Sequence, residues 1–160
     1  MRLSPIARRL APLFIGKFLL NFVFWYSVEK MFMTTIGFDM ASIGMMAALY
    51  SVVSVSLEIP SGILADRWSR KGVMILAAIA LALSGLVGGL SYTVPIFLIS
   101  AIFWGLFDAM ASGTADSMIY DSLVEDRGNS NGYEKILGYF NALGGLALIV
   151  SALIGGVIGE

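Results

Sequence analysis

Five long apolar stretches, separated by short polar or charged connections, make up most of the chain. Gly72–Leu90 and Ile136–Ile158 contain no charged residue, and a helix needs about 20 apolar residues to cross a bilayer. Backbone N–H and C=O groups in lipid must be paired within their own segment, so such stretches are helices. The pattern predicts an all-α membrane protein with five transmembrane helices, at about residues 10–33, 41–65, 72–91, 94–121 and 134–158.

Composition agrees with a membrane protein and narrows the chemistry. The chain is 58% hydrophobic and 13% charged, whereas soluble domains are about 25% charged. It has no cysteine and no histidine, which excludes disulfides and removes the commonest metal ligand and general base. We therefore expect no metal and no cofactor. We also expect no enzyme activity, because the sequence has no Walker loop, no HExxH motif and no nucleophile–base pair. The chain has no basic tract, which argues against nucleic acid as a partner.

The basic residues lie mostly on one side of the predicted helices. Connections rich in Lys and Arg stay in the cytoplasm. We therefore expect the N-terminus, residues 65–72 and residues 122–133 on the cytoplasmic side of the cell (inner) membrane. The inner set is Arg2, Arg8, Arg9, Lys17, Arg67, Arg70, Lys71, Arg127 and Lys135, against Lys30 on the outer side.

The connection between the second and third predicted helices is highly charged for this chain. It reads Gly62-x-x-x-Asp66-Arg67-x-x-Arg70-Lys71. This pattern resembles the loop between helices 2 and 3 of the major facilitator superfamily (MFS) of transporters. The stretches LEIPSG, SGTADSMIYDSL and GYEKILGYFNALGG resemble a drug-efflux-like or uncharacterised branch of the same superfamily.

The resemblance implies both a fold and a function. Residues 1–160 would form five helices of an MFS-type N-terminal six-helix half, as a fragment of a longer protein. The function would be secondary active transport of a small molecule by alternating access, with ion or proton coupling, the bilayer as environment and a missing C-terminal half as partner. The alternative is a membrane interaction or structural module that transports nothing and acts with a partner chain.

The resemblance also implies roles in the charged loop. Asp66 would latch the first six-helix half to the second when the transporter faces outward, and its carboxylate can sit at the positive N-terminus of a facing helix. Arg70 would pair with Asp121 at the cytoplasmic end of the fourth helix. Gly62 would let another helix pack close to the end of the second helix.

Some positions depart from the family pattern. Ser69 stands where a second loop glycine is usual, so the turn is expected to be tighter or slightly strained. The fourth helix lacks the arginine that many members carry. Residues 151–156 read SALIGG, without the proline of the drug/proton antiporter element, which weakens that assignment. Arg67, Arg70 and Lys71 fit the pattern and would anchor the loop at anionic headgroups.

Acidic residues inside the predicted helices are functional candidates, because a charge in the membrane is costly. Asp108, Ser112, Asp116 and Tyr120 recur at four-residue spacing and form one polar stripe on the fourth helix. Such a stripe avoids lipid and faces a wet cavity or neighbouring helices. Asp108 and Asp116 are therefore candidates for proton coupling or substrate contact. The alternative for Asp108 is a packing network, and the alternative for Asp116 is a place in the gate.

Further candidates lie on the first two helices. Glu58 is a coupling or substrate candidate, or a structural residue that bonds either the backbone freed by Pro60 or the end of the fourth helix. Glu29 is a candidate too, unless it snorkels to the outer surface. Tyr26 and Asn21 either line a pocket or serve in the belt at the membrane interface and in helix packing. Acids together with aromatic rings suit a cationic or amphiphilic substrate.

Overall fold

The computed structural model describes residues 5–158, apart from the side chains of residues 5, 26, 27 and 158. This part of the chain is α1 (Pro5–Asn21), a 3-10 turn (Phe24–Ser27), α2 (Glu29–Thr35), α3 (Met40–Arg67), α4 (Arg70–Gly89), α5 (Val94–Arg127) and α6 (Tyr133–Ile158). The all-α prediction is confirmed. By length and composition, α3, α4, α5 and α6 can each cross a membrane.

The first predicted helix, at about residues 10–33, is not continuous. α1 ends at Asn21, whose side-chain Nδ2 donates to the carbonyl oxygen of Lys17 at 2.8 Å. Val23 then adopts extended backbone, with φ −112° and ψ 96°. A side-chain amide that bonds the backbone competes with helical pairing, and β-branched and aromatic residues lose rotamer freedom in a helix. The count of five continuous spans is thus corrected to four among the described residues, with the first segment divided.

The remaining helices follow the predicted segments but differ at their ends. α5 continues to Arg127, beyond the predicted end at residue 121. Gly128 (φ 70°) and Gly132 (φ 88°) then adopt left-handed backbone, which glycine permits at a helix end. The connection expected over residues 122–133 is therefore confined to residues 128–132. Asp39 caps the start of α3 by accepting the backbone N–H of Ser42 at 2.8 Å.

The described helices form two compact units. Residues up to Glu29 and from Ala115 onward make the terminal unit, and Lys30–Thr114 make the central unit. α5 contributes its first part to the central unit and its last part to the terminal unit.

In the central unit, α4 presents a face of small side chains. Its buried residues are Val73, Ala77, Ala80, Ser84 and Gly88. Their spacing of three or four places them on one side of the helix, and small side chains let membrane helices approach closely. Ser84 Oγ accordingly reaches the carbonyl oxygen of Ser100 on α5 at 2.9 Å. Phe97 packs edge to face with Phe38, with ring centroids 5.2 Å apart.

In the terminal unit, α6 packs against α1 and the 3-10 turn. Phe140 of α6 is 2% exposed and meets Phe14 of α1 edge to face, with centroids 5.4 Å apart. Arg9 of α1 donates to the Glu125 carboxylate near the end of α5. Because both charged side chains are exposed, this pair contributes little to stability.

Candidate functional site

The charged loop is a short turn between α3 and α4. Arg70, the first residue of α4, donates from its guanidinium to the Asp66 carboxylate at 3.2 Å. Ser69 caps α4, because its side-chain oxygen accepts the backbone N–H of Gly72 at 3.1 Å. The φ of Ser69 is −172°, which is ordinary extended backbone. The slight strain predicted for this turn is therefore not found at Ser69. A serine cap does not need the left-handed conformation that a glycine would supply.

The two glycines beside this turn have unlike surroundings. A Cβ on Gly62 would have no heavy atom within 4 Å. The close helix packing predicted there is thus not found among the described helices. A Cβ on Gly72 would lie 2.7 Å from the Trp68 ring, so the missing side chain makes room for an indole over the start of α4.

Arg67 and Lys71 are exposed at the two ends of the turn. Their exposure is compatible with the predicted contact with anionic headgroups. The pairing of Arg70 with Asp121 and the latching role of Asp66 stay predictions.

The Asp108 carboxylate on α5 has defined partners. Tyr50 Oη donates to Asp108 Oδ2 at 2.9 Å, and Ser54 Oγ donates to the same oxygen at 2.7 Å. Both donors lie on α3, four residues apart, and so share one face of that helix. Hydrogen bonds to an ionised carboxylate are stronger than bonds between neutral groups. We call these three side chains the hydroxyl–carboxylate cluster; they tie α3 to α5.

The helices that carry the cluster approach each other closely. A Cβ on Gly105 would lie 2.9 Å from the carbonyl oxygen of Tyr50 and 2.9 Å from the Cβ of Val53. Ser61 Oγ on α3 donates to the carbonyl oxygen of Ala109 on α5 at 2.7 Å. Contacts that involve the backbone therefore set the distance between α3 and α5 beside the carboxylate.

The terminal unit holds a cation on α1. Lys17 Nζ lies 4.9 Å from the centroid of the Phe140 ring, a cation–π contact. Gly144 leaves room for this side chain, since a Cβ there would lie 2.6 Å from Lys17 Cε and 3.6 Å from Asn21 Cγ. The charge of Lys17 also acts on the half-buried Asp116 of α5. Asn21 and Asp116, which were predicted separately, thus share Lys17 as a neighbour.

The other predicted residues are dispersed along the helices. Glu58 is exposed on α3, and its carbonyl oxygen accepts the Ser61 hydroxyl at 3.0 Å. Glu29 is half-buried at the start of α2. Asp121 is half-buried on α5. The side chain of Tyr26 lies outside the described residues.

Tyr50, Ser54 and Lys17 become candidates only through the structure. Tyr50 and Ser54 have the same four-residue spacing that identifies the polar stripe on the fourth predicted helix, and this spacing was the available signal. In the sequence Lys17 serves only as an orientation charge, although a cation inside a membrane segment is itself a functional signal.

The comparisons with known proteins agree on one family. The family model of the Major Facilitator Superfamily matches residues 10–160. An uncharacterised MFS-type transporter of Methanocaldococcus jannaschii is 25% identical over 133 residues, covering 83% of this chain and 33% of that protein. The class H tetracycline resistance protein of Pasteurella multocida is 27% identical over 117 residues, or 73% of this chain and 28% of that protein.

A third relative is a probable hexose phosphate transport protein of Chlamydia trachomatis, 30% identical over 95 residues. That match covers 54% of this chain and 20% of the relative. The chain thus spans about a third or less of the length of these relatives. No solved structure gives a significant match. The matched residues 10–160 include the charged loop, the hydroxyl–carboxylate cluster and Lys17.

Proposed function

Because this chain belongs to the major facilitator superfamily, we propose that it forms part of a secondary active transporter for a small molecule. Members of the family are transporters rather than enzymes, and membership together with the apolar helices makes this a multi-pass membrane protein. Alternating access needs two halves around a shared site. We infer that a second half lies outside these 160 residues, an inference supported by the small share of each relative that the chain spans.

The observation that carries the proposal is the Asp108 carboxylate within α5. Ionisable groups inside membrane helices are rare and often mark ion or substrate pathways. The partners of Asp108 in the central unit are hydroxyl groups, which supply dipoles but no positive charge. A proton or another cation is what neutralises such a carboxylate. We therefore assign to Asp108 the coupling of transport to an ion, and specifically to a proton.

Asp108→Asn tests this assignment, because asparagine keeps the shape of aspartate but cannot exchange a proton. In vesicles that contain the whole protein, we expect uptake driven by a pH gradient to be lost while the yield of folded protein is retained. The matched control is Asp126→Asn, at the exposed end of α5, which should keep its uptake. Normal pH-driven uptake by Asp108→Asn would contradict the coupling role. If asparagine is tolerated and Asp108→Leu fails to fold, the residue is part of a packing network instead.

We also propose that the charged loop, residues 62–71, gates the transporter at its cytoplasmic face, with Asp121 as a partner. The Asp66–Arg70 pair at 3.2 Å supports this role, because it links the end of α3 to the start of α4. Asp66→Asn should lower the outward-facing population and transport while insertion is unchanged. Equal flux at equal expression would reduce the loop to a topology signal.

The orientation we propose is a cytoplasmic N-terminus in the cell (inner) membrane. Its support is the excess of Lys and Arg in the N-terminal segment and in the loops after α3 and α5. These 160 residues contain no cysteine, so a single introduced thiol is the only one among them. Cysteine at Ser69 or Ser130 should react only with cytoplasmic reagent, and cysteine at Thr93 only with external reagent. A thiol at position 93 that reacts from the cytoplasm would reverse the orientation.

For the substrate we propose a cationic or amphiphilic small molecule. Trp104 lies four residues before Asp108, and its ring packs on Phe107 with centroids 5.7 Å apart. An aromatic surface beside a carboxylate favours an organic cation. In a competition assay, tetraphenylphosphonium should inhibit uptake, and a sugar phosphate at the same concentration should not. The reverse result would exclude this substrate class.

A further inference from the structure

The hydroxyl–carboxylate cluster joins α3 to α5 through bonds whose strength depends on one proton. Both hydroxyls donate to the same oxygen, Oδ2 of Asp108, at 2.9 and 2.7 Å. An ionised carboxylate accepts such bonds about twice as strongly as a neutral carboxyl group. A proton on Asp108 therefore weakens the attraction between the two helices, and no covalent bond within the protein has to break.

The titratable surroundings of Asp108 in the central unit are simple. On α3, Tyr50 faces it directly, and Glu58 lies four residues beyond Ser54 but is exposed. α4 carries Arg70 and Lys71 at its start and no other ionisable side chain. The ion pairs found among residues 5–158 do not include Asp108. The carboxylate is thus balanced by hydroxyl dipoles within this unit.

Other contacts between α3 and α5 do not respond to protons. Ser61 donates to the backbone carbonyl of Ala109 at 2.7 Å, and Gly105 lies against the Tyr50 carbonyl and Val53. Neither contact involves a group that titrates. The helix pair therefore has a contact at Ser61 that does not depend on pH, together with a contact at Asp108 that a proton weakens. Gly105 meets the stretch of α3 that also carries Tyr50 and Ser54.

We propose that Tyr50 and Ser54 are positioning residues that convert protonation of Asp108 into a change in the packing of α3 on α5. The inference rests on the proposed coupling role of Asp108 and adds the groups that transmit it. With Asp108 ionised, both hydroxyls hold the part of α3 around residues 50–54 against α5. With Asp108 protonated, that part is released, while Ser61 keeps its bond to the α5 backbone.

Distances between spin labels test this mechanism directly. Labels on cysteines at Val52 of α3 and Ile99 of α5, both exposed, report the spacing of the two helices in the full chain reconstituted in lipid. We expect the distance distribution to shift reversibly as the pH is lowered. Asp108→Asn should abolish the shift, because asparagine stays neutral at every pH. The double variant Tyr50→Phe with Ser54→Ala should also lack the shift.

Two further variants separate positioning from general packing. The matched control, Tyr92→Phe with Ser56→Ala, changes exposed residues of the same types and should keep the pH-dependent shift. Ser54→Thr retains the hydroxyl group, and in a Tyr50→Phe background it should restore part of the shift that Ser54→Ala removes. If the variants of Tyr50 and Ser54 do not fold, infrared difference spectra of the unsubstituted chain still show whether acid alters both tyrosine and carboxyl bands.

The outcomes distinguish this inference from the proposed transport function. A full pH-dependent shift in the Tyr50→Phe, Ser54→Ala variant, or no shift in the unsubstituted chain, overturns the positioning role even if Asp108 couples transport. A shift that requires Asp108, Tyr50 and Ser54 in a protein without proton-driven uptake supports the positioning role and contradicts the coupling function.

Discussion

The two compact units hold a charged group within a helix in opposite ways. In the central unit the Asp108 anion is fixed by two hydroxyls, and Gly105 brings the backbones of α3 and α5 together. In the terminal unit the Lys17 cation lies over the Phe140 ring, and Gly144 leaves room for the flexible end of its side chain. A missing Cβ thus serves helix contact in one unit and side-chain space in the other. The same substitution should therefore have different costs in the two units.

The largest effect is expected from Gly105→Ala. The new Cβ would lie 2.9 Å from a backbone oxygen and from the Cβ of Val53, so α3 has to move. Overpacking of this kind costs about 1–3 kcal/mol. Gly113→Ala on the same helix is the matched control, because its Cβ has no neighbour within 4 Å. Equilibrium unfolding in mixed micelles measures both; equal stabilities would show that α3 and α5 are not in rigid contact.

Phe140→Leu should have the next largest effect, because it keeps an apolar side chain but removes the ring. The variant loses the edge-to-face contact with Phe14 and the contact with Lys17, together worth about 1–3 kcal/mol. The neighbouring Tyr139→Leu is a control, since Tyr139 is exposed and meets Lys135 only at 6.0 Å. If both variants unfold at the same denaturant concentration, the Lys17–Phe140 contact does not stabilise the terminal unit.

Gly144→Ala should cost much less than Gly105→Ala. Its Cβ would meet Cε of Lys17 at 2.6 Å, but that carbon is near the end of a flexible chain that can swing aside. Alanine also favours a helix over glycine by about 1 kcal/mol, so the net change in stability should be close to zero. Gly145→Ala, with open space around its Cβ, sets the reference. A loss for Gly144→Ala as large as that of Gly105→Ala would remove the difference between the units.

The smallest effect on stability is expected at Asp39. Like Asp108, Asp39 is a carboxylate of the central unit that accepts a serine hydroxyl, but it is exposed. Hydrogen bonds from the Ser42 side chain and backbone lower the pKa of Asp39 below its ordinary value. The cap then stabilises α3 above the unfolded-state pKa of about 3.9 and loses this contribution as the pH falls through the lower folded pKa. The Ser42 amide resonance should therefore move only below about pH 4. The same movement in Asp39→Asn would assign the change to another group.

Most of the helical fold could be predicted, because a charge-free apolar run constrains a membrane segment strongly. α4 and α6 lie within a few residues of the segments expected at 72–91 and 134–158. The break after Asn21 could not be predicted, because a hydropathy pattern does not show that the Asn21 side-chain amide bonds the backbone carbonyl of Lys17. The strain predicted at Ser69 was wrong for a similar reason. Comparison with a pattern that has glycine at this position does not show that a serine caps the next helix.

The candidate site was only partly predictable. Asp108 stands out in the sequence because a carboxylate is rare inside an apolar helix. Its partners Tyr50 and Ser54 do not, since hydroxyl side chains are common in membrane helices. Their pairing with Asp108 follows from the register of α3 against α5, and Gly105 sets that register through a backbone contact. Register between two helices is not encoded in the periodicity of either one.

The division of the first segment bears on how the protein is inserted during synthesis. α1 has 17 residues, about 26 Å at 1.5 Å per residue, and α2 has 7, whereas the hydrocarbon core is about 30 Å thick. The extended backbone at Val23 ends the regular helical pairing of the first segment, although the Val23 N–H still bonds the carbonyl oxygen of Asn21 at 3.1 Å. The helix that packs on α1 and the 3-10 turn is α6, the last one described. We therefore expect the first segment to reach its final packing only after α6 has been synthesised, so that the terminal unit assembles late.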